Sequence, residues 1–255
     1  MIWKFIGQSV KGTSHVSQKK DCEDAHACTV VYTAEQEEVL LCCVSDGAGS
    51  ALYGGWASRY ITQTAILVLS DWIEKETKIA EAQIQLLAEK LYDGISEKAS
   101  ADEIPLNEYS ATFLGAAVYP DKTIFFQIGD GAIIMNDGTD FYTPVMLPQN
   151  GEYQNMTFFL VDNPDLPALR CFVLPGQVNE LALFTDGLQQ LVLHMEDKTV
   201  HQPFFASMFP VLRRALTAEY INALNAKLSL YLNSDHINAR TDDDKTLLLA
   251  TRLPG

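Results

Sequence analysis

The chain has 255 residues, of which 47% are hydrophobic and 20% charged, a globular composition long enough to bury a substantial core. Its formal net charge of −15 leaves no basic stripe to neutralise a nucleic-acid backbone, which argues against that class of partner. The opening segment carries Lys4 inside its apolar stretch and lacks a small-residue cleavage site, and the longest charge-free apolar stretch, near Tyr60–Ser70, is too short for a bilayer. A soluble, cytoplasmic protein without a membrane partner is expected.

In chain order, strands are expected at Trp3–Val10, Ala27–Tyr32, Val39–Ser45, Ser110–Tyr119, Thr123–Ile128, Ala132–Met135, Met156–Val161, Leu169–Leu174, Glu180–Thr185 and Thr246–Thr251. Pro120-Asp121-Lys122 and Asn136-Asp137-Gly138 are turn-forming breaks between them. Two helical stretches follow Gly55, from Trp56 to about Lys75 and from about Ile79 to Ala99, and a second helical block covers about Phe204–Leu232. Ala65, Leu69, Trp72 and Ile73 recur at helical spacing and mark a core face. Strands joined by short turns pair antiparallel, and helices supplied in separate blocks cover sheet faces. The expectation is an α+β layered fold, two sheets packed together with helices outside, in one domain spanning residues 1–255.

Five cysteines, Cys22, Cys28, Cys42, Cys43 and Cys171, make an odd number without a CxxC pair, so neither a disulfide framework nor a thiolate zinc site is expected. Cys42 and Cys43 sit in an apolar strand and read as small buried hydrophobes. The segment Gly138–Pro167, with Gly151-Glu152-Tyr153-Gln154-Asn155, reads equally as a flap beside a site or as a surface excursion.

The chemistry-bearing signal is a repeated adjacency of apolar strand and aspartate. Val39–Ser45 runs into Asp46-Gly47, Ile124–Gly129 into Asp130-Gly131, and Leu181–Thr185 into Asp186-Gly187. Asp242-Asp243-Asp244-Lys245 precedes Thr246–Leu249, and Glu23-Asp24 stands just before a strand. One Asp-Gly after a strand is ordinarily a turn. Several at the ends of buried strands point to clustered carboxylates, which repel and protonate unless something positive joins them. Hard oxygen donors of this kind favour magnesium, manganese or calcium.

Glu23-Asp24-Ala25, Val44–Ser50, Ile128–Gly131, Phe184–Leu188 and Asp243–Thr246, in that order, resemble the type 2C, metal-dependent protein phosphatase family. Gly12-Thr13-Ser14-His15, Cys22-Glu23-Asp24 and Asn150–Tyr153 followed by Asn155 and Thr157 resemble its bacterial branch. The resemblance implies an antiparallel β-sandwich of two sheets flanked by helices on both faces. It implies two magnesium or manganese ions, with a third possible, and attack by a metal-activated water on phosphoserine or phosphothreonine. Asp46 would bridge two ions with the Gly47 carbonyl beside it, Asp186 and Asp243 would each bind one, Glu23 and Asp24 would hold metal-bound waters, and Asp130 would serve a third ion. The catalytic set would be His15, Asp46, Asp186 and Asp243. The partner would be a phosphorylated protein, a cognate serine/threonine kinase or that kinase's target, acted on by a monomer.

Where many family members have His after the bridging Asp-Gly, this chain has Ala48. The phosphate-gripping Arg is replaced near Lys19, with Lys20 adjacent, and Gly131-Ala132 stands where Ser-Arg is common. His15 and Lys19 are therefore the candidate phosphate-binding residues, His15 also for protonating the leaving group. A cysteine-dependent phosphatase needs Arg six positions after Cys, and a haloacid dehalogenase-type site needs Asp-x-Asp; the chain has neither at the required place. The competing reading is a phosphatase-like module that binds phosphoproteins or a kinase without catalysis. The missing His and Arg favour it, and the complete carboxylate set opposes it.

Overall fold

A computed structural model describes residues 3–75, 78–149 and 157–253. From the N-terminus, β1 (Lys4–Val10), the short helix α1 (Thr13–Gln18), β2 (Ala25–Tyr32) and β3 (Glu38–Ser45) precede two long helices, α2 (Gly54–Glu74) and α3 (Glu81–Asp102). Then come β4 (Phe113–Val118), β5 (Lys122–Ile128), β6 (Ala132–Asn136), β7 (Thr143–Met146), β8 (Arg170–Pro175) and β9 (Glu180–Phe184). Helix α4 (Gln189–Val192), the small ladder of β10 (Leu193–His194) and β11 (Thr199–Val200), and helices α5 (Gln202–Arg213), α6 (Ala218–Leu232) and α7 (Asp235–Asn238) lead to β12 (Lys245–Thr251).

The strands form two five-stranded sheets, ordered β1-β12-β9-β6-β7 and β2-β3-β4-β5-β8. Every pairing in them is antiparallel. Strand β3 shows why its sequence is an unbroken apolar run. Leu40, Cys42 and Val44 point into the layer between the sheets, packing with Leu114, Phe125, Leu183 and Leu248. Leu41 and Cys43, on the opposite face, pack under α2 and α3 with Ile61, Leu69, Leu87 and Leu91. Alternate residues serve two cores, so no position can be polar. Across the second sheet, Phe184, Leu247 and Leu249 pack under α5 and α6 against Phe205, Phe209 and Leu228. Burying one such side chain contributes roughly 1.5–3 kcal/mol, which makes three stacked interfaces the principal stabilising term. The order of layers is helix, sheet, sheet, helix, as expected.

The cysteines are all free, and Cys42 and Cys43 are fully buried, with the sulfur of Cys28 3.3 Å from that of Cys42 across the β2–β3 pair. Among the described residues, no helix is long and apolar enough to cross a membrane.

Several sequence expectations require correction. The strand expected at Met156–Val161 is absent from its described part: residues 157–159 lack regular structure and Leu160 opens a turn. Leu160 gives its N–H to Ala111 O at 3.0 Å, and Asp162 closes the turn by accepting the Phe159 N–H at 2.8 Å. The strand expected from Ser110 starts only at Phe113, because a 3-10 turn at Leu106–Tyr109 occupies the approach. The helical block expected over Phe204–Leu232 divides in two, since Thr217 caps α6 by accepting the Tyr220 N–H at 3.2 Å. Helix α1 was not expected, being six residues without apolar periodicity. Strand β7 was not expected either; it contains Pro144 and is tolerated because it lies at a sheet edge. The segment Asn150–Asn155, with the flap motif, lies outside the described residues.

Candidate metal centre

Antiparallel pairing sets the end of one strand beside the start of its neighbour, and this register collects the carboxylates. Ala25 pairs with Ser45, so Asp24 before β2 stands next to Asp46 after β3. Leu247 and Ala132 both pair with Phe184, so Asp186 after β9 lies between the residues preceding β12 and β6. Asp130 occupies the link from β5 to β6, where the chain passes from one sheet to the other. Val10 pairs with Lys245, which brings Gly12 and α1 to the same end.

Carboxylate oxygens of Asp46, Asp130 and Asp186 all lie within 4.8 Å of one another. The Asp46 backbone is clamped by Thr112, whose Oγ1 accepts the Asp46 N–H at 2.8 Å while its own N–H is given to Asp46 O at 2.8 Å. The two key Asp-Gly pairs need glycine for close backbone approach. A Cβ on Gly47 would lie 2.3 Å from the Gly54 carbonyl carbon, and one on Gly187 would lie 2.0 Å from Asp244 O. An isolated Asp-Gly pair is ordinarily a turn; here the missing side chain lets neighbouring loops close on the cluster.

Three negative groups at this distance raise one another's proton affinity. Burial, then the charges of Asp24 and Asp186, holds the Asp46 carboxyl well above the usual range. Burial, then Asp130 and Asp243, pushes Asp186 up to about 7. Asp130 is raised by burial although Thr157 Oγ1 donates to it. Asp24 is raised by burial to about 8 despite hydroxyl donors from Thr185 (2.7 Å) and Thr246 (2.8 Å) on its Oδ2.

Asp244 organises the flank of the cluster. Its Oδ1 accepts the Gly12 N–H at 2.6 Å, and its Oδ2 accepts the Glu23 N–H at 2.5 Å and faces His15 Nδ1 at 3.0 Å. His15 is buried, its Nε2 3.5 Å from Glu23 Oε2 and close to the Ala48–Gly49 turn, where a Cβ on Gly49 would be 3.8 Å away. Burial raises Glu23, opposed by Lys20 and His15. Lys20 Nζ donates to Gly49 O at 2.7 Å and stands 3.7 Å from Glu23 Oε1. Lys19, the residue singled out from sequence, instead ends α1 in a left-handed conformation (φ 59°) and is exposed. Asp243 is exposed at the rim, outside the 4.8 Å group, although its charge acts on Asp186 and Asp130.

The sequence carries Asp244, Thr185 and Thr246 only as members of motifs, with no role for their side chains, and gives no sign of Thr112. Thr185 and Thr246 carry a readable signal, since Thr185 directly precedes Asp186 and Thr246 stands two positions after Asp244, both at strand ends.

Glu23 Oε2, Asp24 Oδ1, Asp130 Oδ1 and Asp186 Oδ1 are buried without a hydrogen-bond partner among the described residues. Buried carboxylate oxygens left without a partner are costly unless a cation joins them. An all-oxygen set of this kind fits a hard divalent ion such as magnesium or manganese. Lys20 and His15 both lie beside Glu23 at the edge of this acidic set.

The protein phosphatase 2C family profile matches residues 11–233. Serine/threonine-protein phosphatase 3 of Escherichia coli (strain K12) is 34% identical over 255 residues, spanning 98% of this chain and 98% of that one. Serine/threonine phosphatase Stp1 from Staphylococcus aureus has a similar structure, with a TM-score of 0.61 and 18% identity over 100% of this chain and 96% of that one. The catalytic domain of the serine threonine protein phosphatase PstP, solved in complex with two manganese ions, gives a TM-score of 0.62 and 14% identity over 98% and 97% of the two chains. At these identities the structural likeness is one of fold.

Proposed function

This chain belongs to the protein phosphatase 2C family, and on that premise we propose that it hydrolyses phosphoserine and phosphothreonine in proteins, with divalent cations held at the Asp46 cluster. The observation that carries the reading is the meeting of Asp46, Asp130 and Asp186 oxygens within 4.8 Å, several of the site's carboxylate oxygens being orphaned. Asp46, the Gly47 carbonyl, Asp186 and Asp243 would hold the two core ions, Glu23 and Asp24 would support them through bound water, and Asp130 would serve a third ion. Bound magnesium or manganese supplies Lewis acidity, lowering the pKa of water and offsetting charge on the phosphoryl oxygens.

The chain's own residues do the rest. Thr112 fixes the Asp46 backbone, while Thr185 and Thr246 hold Asp24 by its Oδ2 and leave its buried Oδ1 without a protein partner among the described residues. The Asp244 carboxylate accepts a hydrogen bond from His15 Nδ1–H, and with the ring doubly protonated Nε2–H would be the donor that hands a proton to the departing alkoxide, leaving the neutral Nδ1–H imidazole. His15 thereby serves where the family's usual histidine is replaced by Ala48. Lys20, with its Nζ at the Gly49 carbonyl, is the cation that holds phosphate, in preference to Lys19. One domain acting as a monomer in the cytoplasm on a kinase or that kinase's target completes the reading.

Manganese-dependent release of phosphate from p-nitrophenyl phosphate and a phosphothreonine peptide tests it, with Asp46→Ala expected to abolish both. A protein that binds manganese and phosphopeptide yet releases no phosphate would be the non-catalytic module instead.

A further inference from the structure

A cavity of about 690 Å³ opens beside the metal centre, a size within the range of ligand clefts. Lys20 and Glu23, between α1 and β2, line one side; Leu52, Trp56 and Arg59, at and before the start of α2, line another, with Glu108 near the rim. Because Lys20 and Glu23 belong both to this groove and to the edge of the carboxylate cluster, a phosphoryl group held at the cluster places the adjoining substrate residues in the groove.

Of the two basic side chains that line it, Lys20 and Arg59, one is left without a carboxylate among the described residues. Asp21 pairs with Lys11 at 3.3 Å, Glu23 faces Lys20 and His15, and Glu108 Oε2 accepts the Leu52 N–H at 2.8 Å. Arg59 is exposed and has no carboxylate within ion-pair distance among the described residues; its Nη1 reaches only the Cys22 carbonyl, at 3.5 Å. Gly55, one turn earlier on α2, makes the room: a Cβ there would lie 3.4 Å from the Arg59 Nη1. In a chain with 33 acidic and 18 basic side chains, an arginine left without an acid inside a cleft is an unmet charge. Around it, Leu52 is 66% exposed and Trp56 is half-buried, giving apolar surface for peptide side chains.

We propose that this groove seats the polypeptide flanking the phosphorylated residue, and that Arg59 receives the carboxylate of an aspartate or glutamate near the phosphoserine or phosphothreonine. The preferred substrates are therefore phosphorylation sites in acidic sequence. A guanidinium matches a carboxylate as a two-pronged donor, so the contact selects for orientation as well as charge. The proposal rests on the phosphatase reading and names which phosphoproteins that site accepts.

The test is a phosphothreonine peptide series carrying Asp, Ala or Lys at each flanking position, hydrolysed in manganese by the wild type, Arg59→Lys, Arg59→Ala and Arg59→Glu. The wild type is expected to favour Asp over Ala by about five-fold in kcat/KM at one or more positions, the scale of an exposed ion pair, with the difference in KM. Arg59→Lys keeps part of the preference, Arg59→Ala removes it, and Arg59→Glu turns it towards Lys. The same series built on a non-hydrolysable phosphonate, measured by calorimetry, reads Arg59 through Kd alone. Absence of hydrolysis with every peptide would count against the phosphatase reading, and the calorimetric series would still decide the groove. A flat wild-type profile, or an Arg59→Glu profile equal to the wild type, overturns the proposal.

Discussion

Asp244 Oδ2 accepts a hydrogen bond from the Glu23 backbone N–H at 2.5 Å, joining residues 221 positions apart at the centre's flank. The same carboxylate holds Gly12 N–H and faces His15 Nδ1, so one buried side chain ties together the residues before β2, those after β1 and the start of β12.

Asp244→Ala is accordingly expected to leave two backbone donors and a buried imidazole unpaired. The cost is about 3 kcal/mol of stability, within the usual range for orphaned buried partners of a charged group. Urea unfolding should show a lowered midpoint with an unchanged slope, and turnover should fall because His15 and Glu23 lose their alignment. A variant that keeps both wild-type stability and wild-type turnover would remove Asp244 from this role.

His15 and Lys20 should separate kinetically. His15→Ala is expected to lose on the order of 100-fold in kcat on phosphothreonine peptides, whose alkoxide needs a proton, and far less on p-nitrophenyl phosphate, whose phenolate leaves without one. Lys20→Ala should raise KM for both substrates, as loss of a phosphate contact does. Equal losses of His15→Ala on the two substrates would argue against proton transfer by this side chain.

The raised carboxylates make a prediction about the protein stripped of divalent ions. Asp24 and Asp186 have folded pKa values of about 8 and about 7, above the ordinary value near 4, so the folded state binds more protons than the unfolded one across that interval. Their contribution to stability is full below about pH 4 and is lost as pH rises through about 7 to 8, on the order of a few kcal/mol in total. Melting temperature in chelator should therefore fall between pH 5.5 and 8.5, and manganese should reverse the fall. Asp46→Asn, which removes one of the repelling charges, should melt higher than the wild type in chelator at pH 8 and respond little to manganese. A metal-free melting temperature that is level across this range would contradict the clustering.

Away from the centre, fully buried Glu180 accepts Arg213 Nε at 2.8 Å and Nη2 at 2.5 Å, together with Tyr142 and Thr251 hydroxyls at 2.9 and 2.8 Å. Arg213→Ala strands that charge and is expected to cost about 3 kcal/mol or more. Calorimetric manganese affinity should be unaltered, because this network lies at the other end of β9 from Asp186. A coupled loss of metal affinity would show that the two ends communicate.

The sequence by itself determined the buried central strands and the acidic residues at their ends. A run such as Val39–Val44, apolar at every position, is stable only between two covered faces, and the recurrence of acidic residues at the ends of several such runs points to clustered carboxylates that call for a cation. Lys19, Lys20 and the Asp243-Asp244 pair show where that reading ends. Adjacent residues share composition but point in different directions, and only the left-handed turn at Lys19 sends Lys20 to Gly49. Likewise, only the antiparallel register of β1, β12 and β9 places Asp244 beneath His15 while leaving Asp243 at the rim. The missed threonines follow the same rule, because a hydroxyl's partner is chosen by which strand ends meet in space. Tertiary structure decided those partners, since hydrogen bonds depend on distances of a few ångströms that no local pattern encodes.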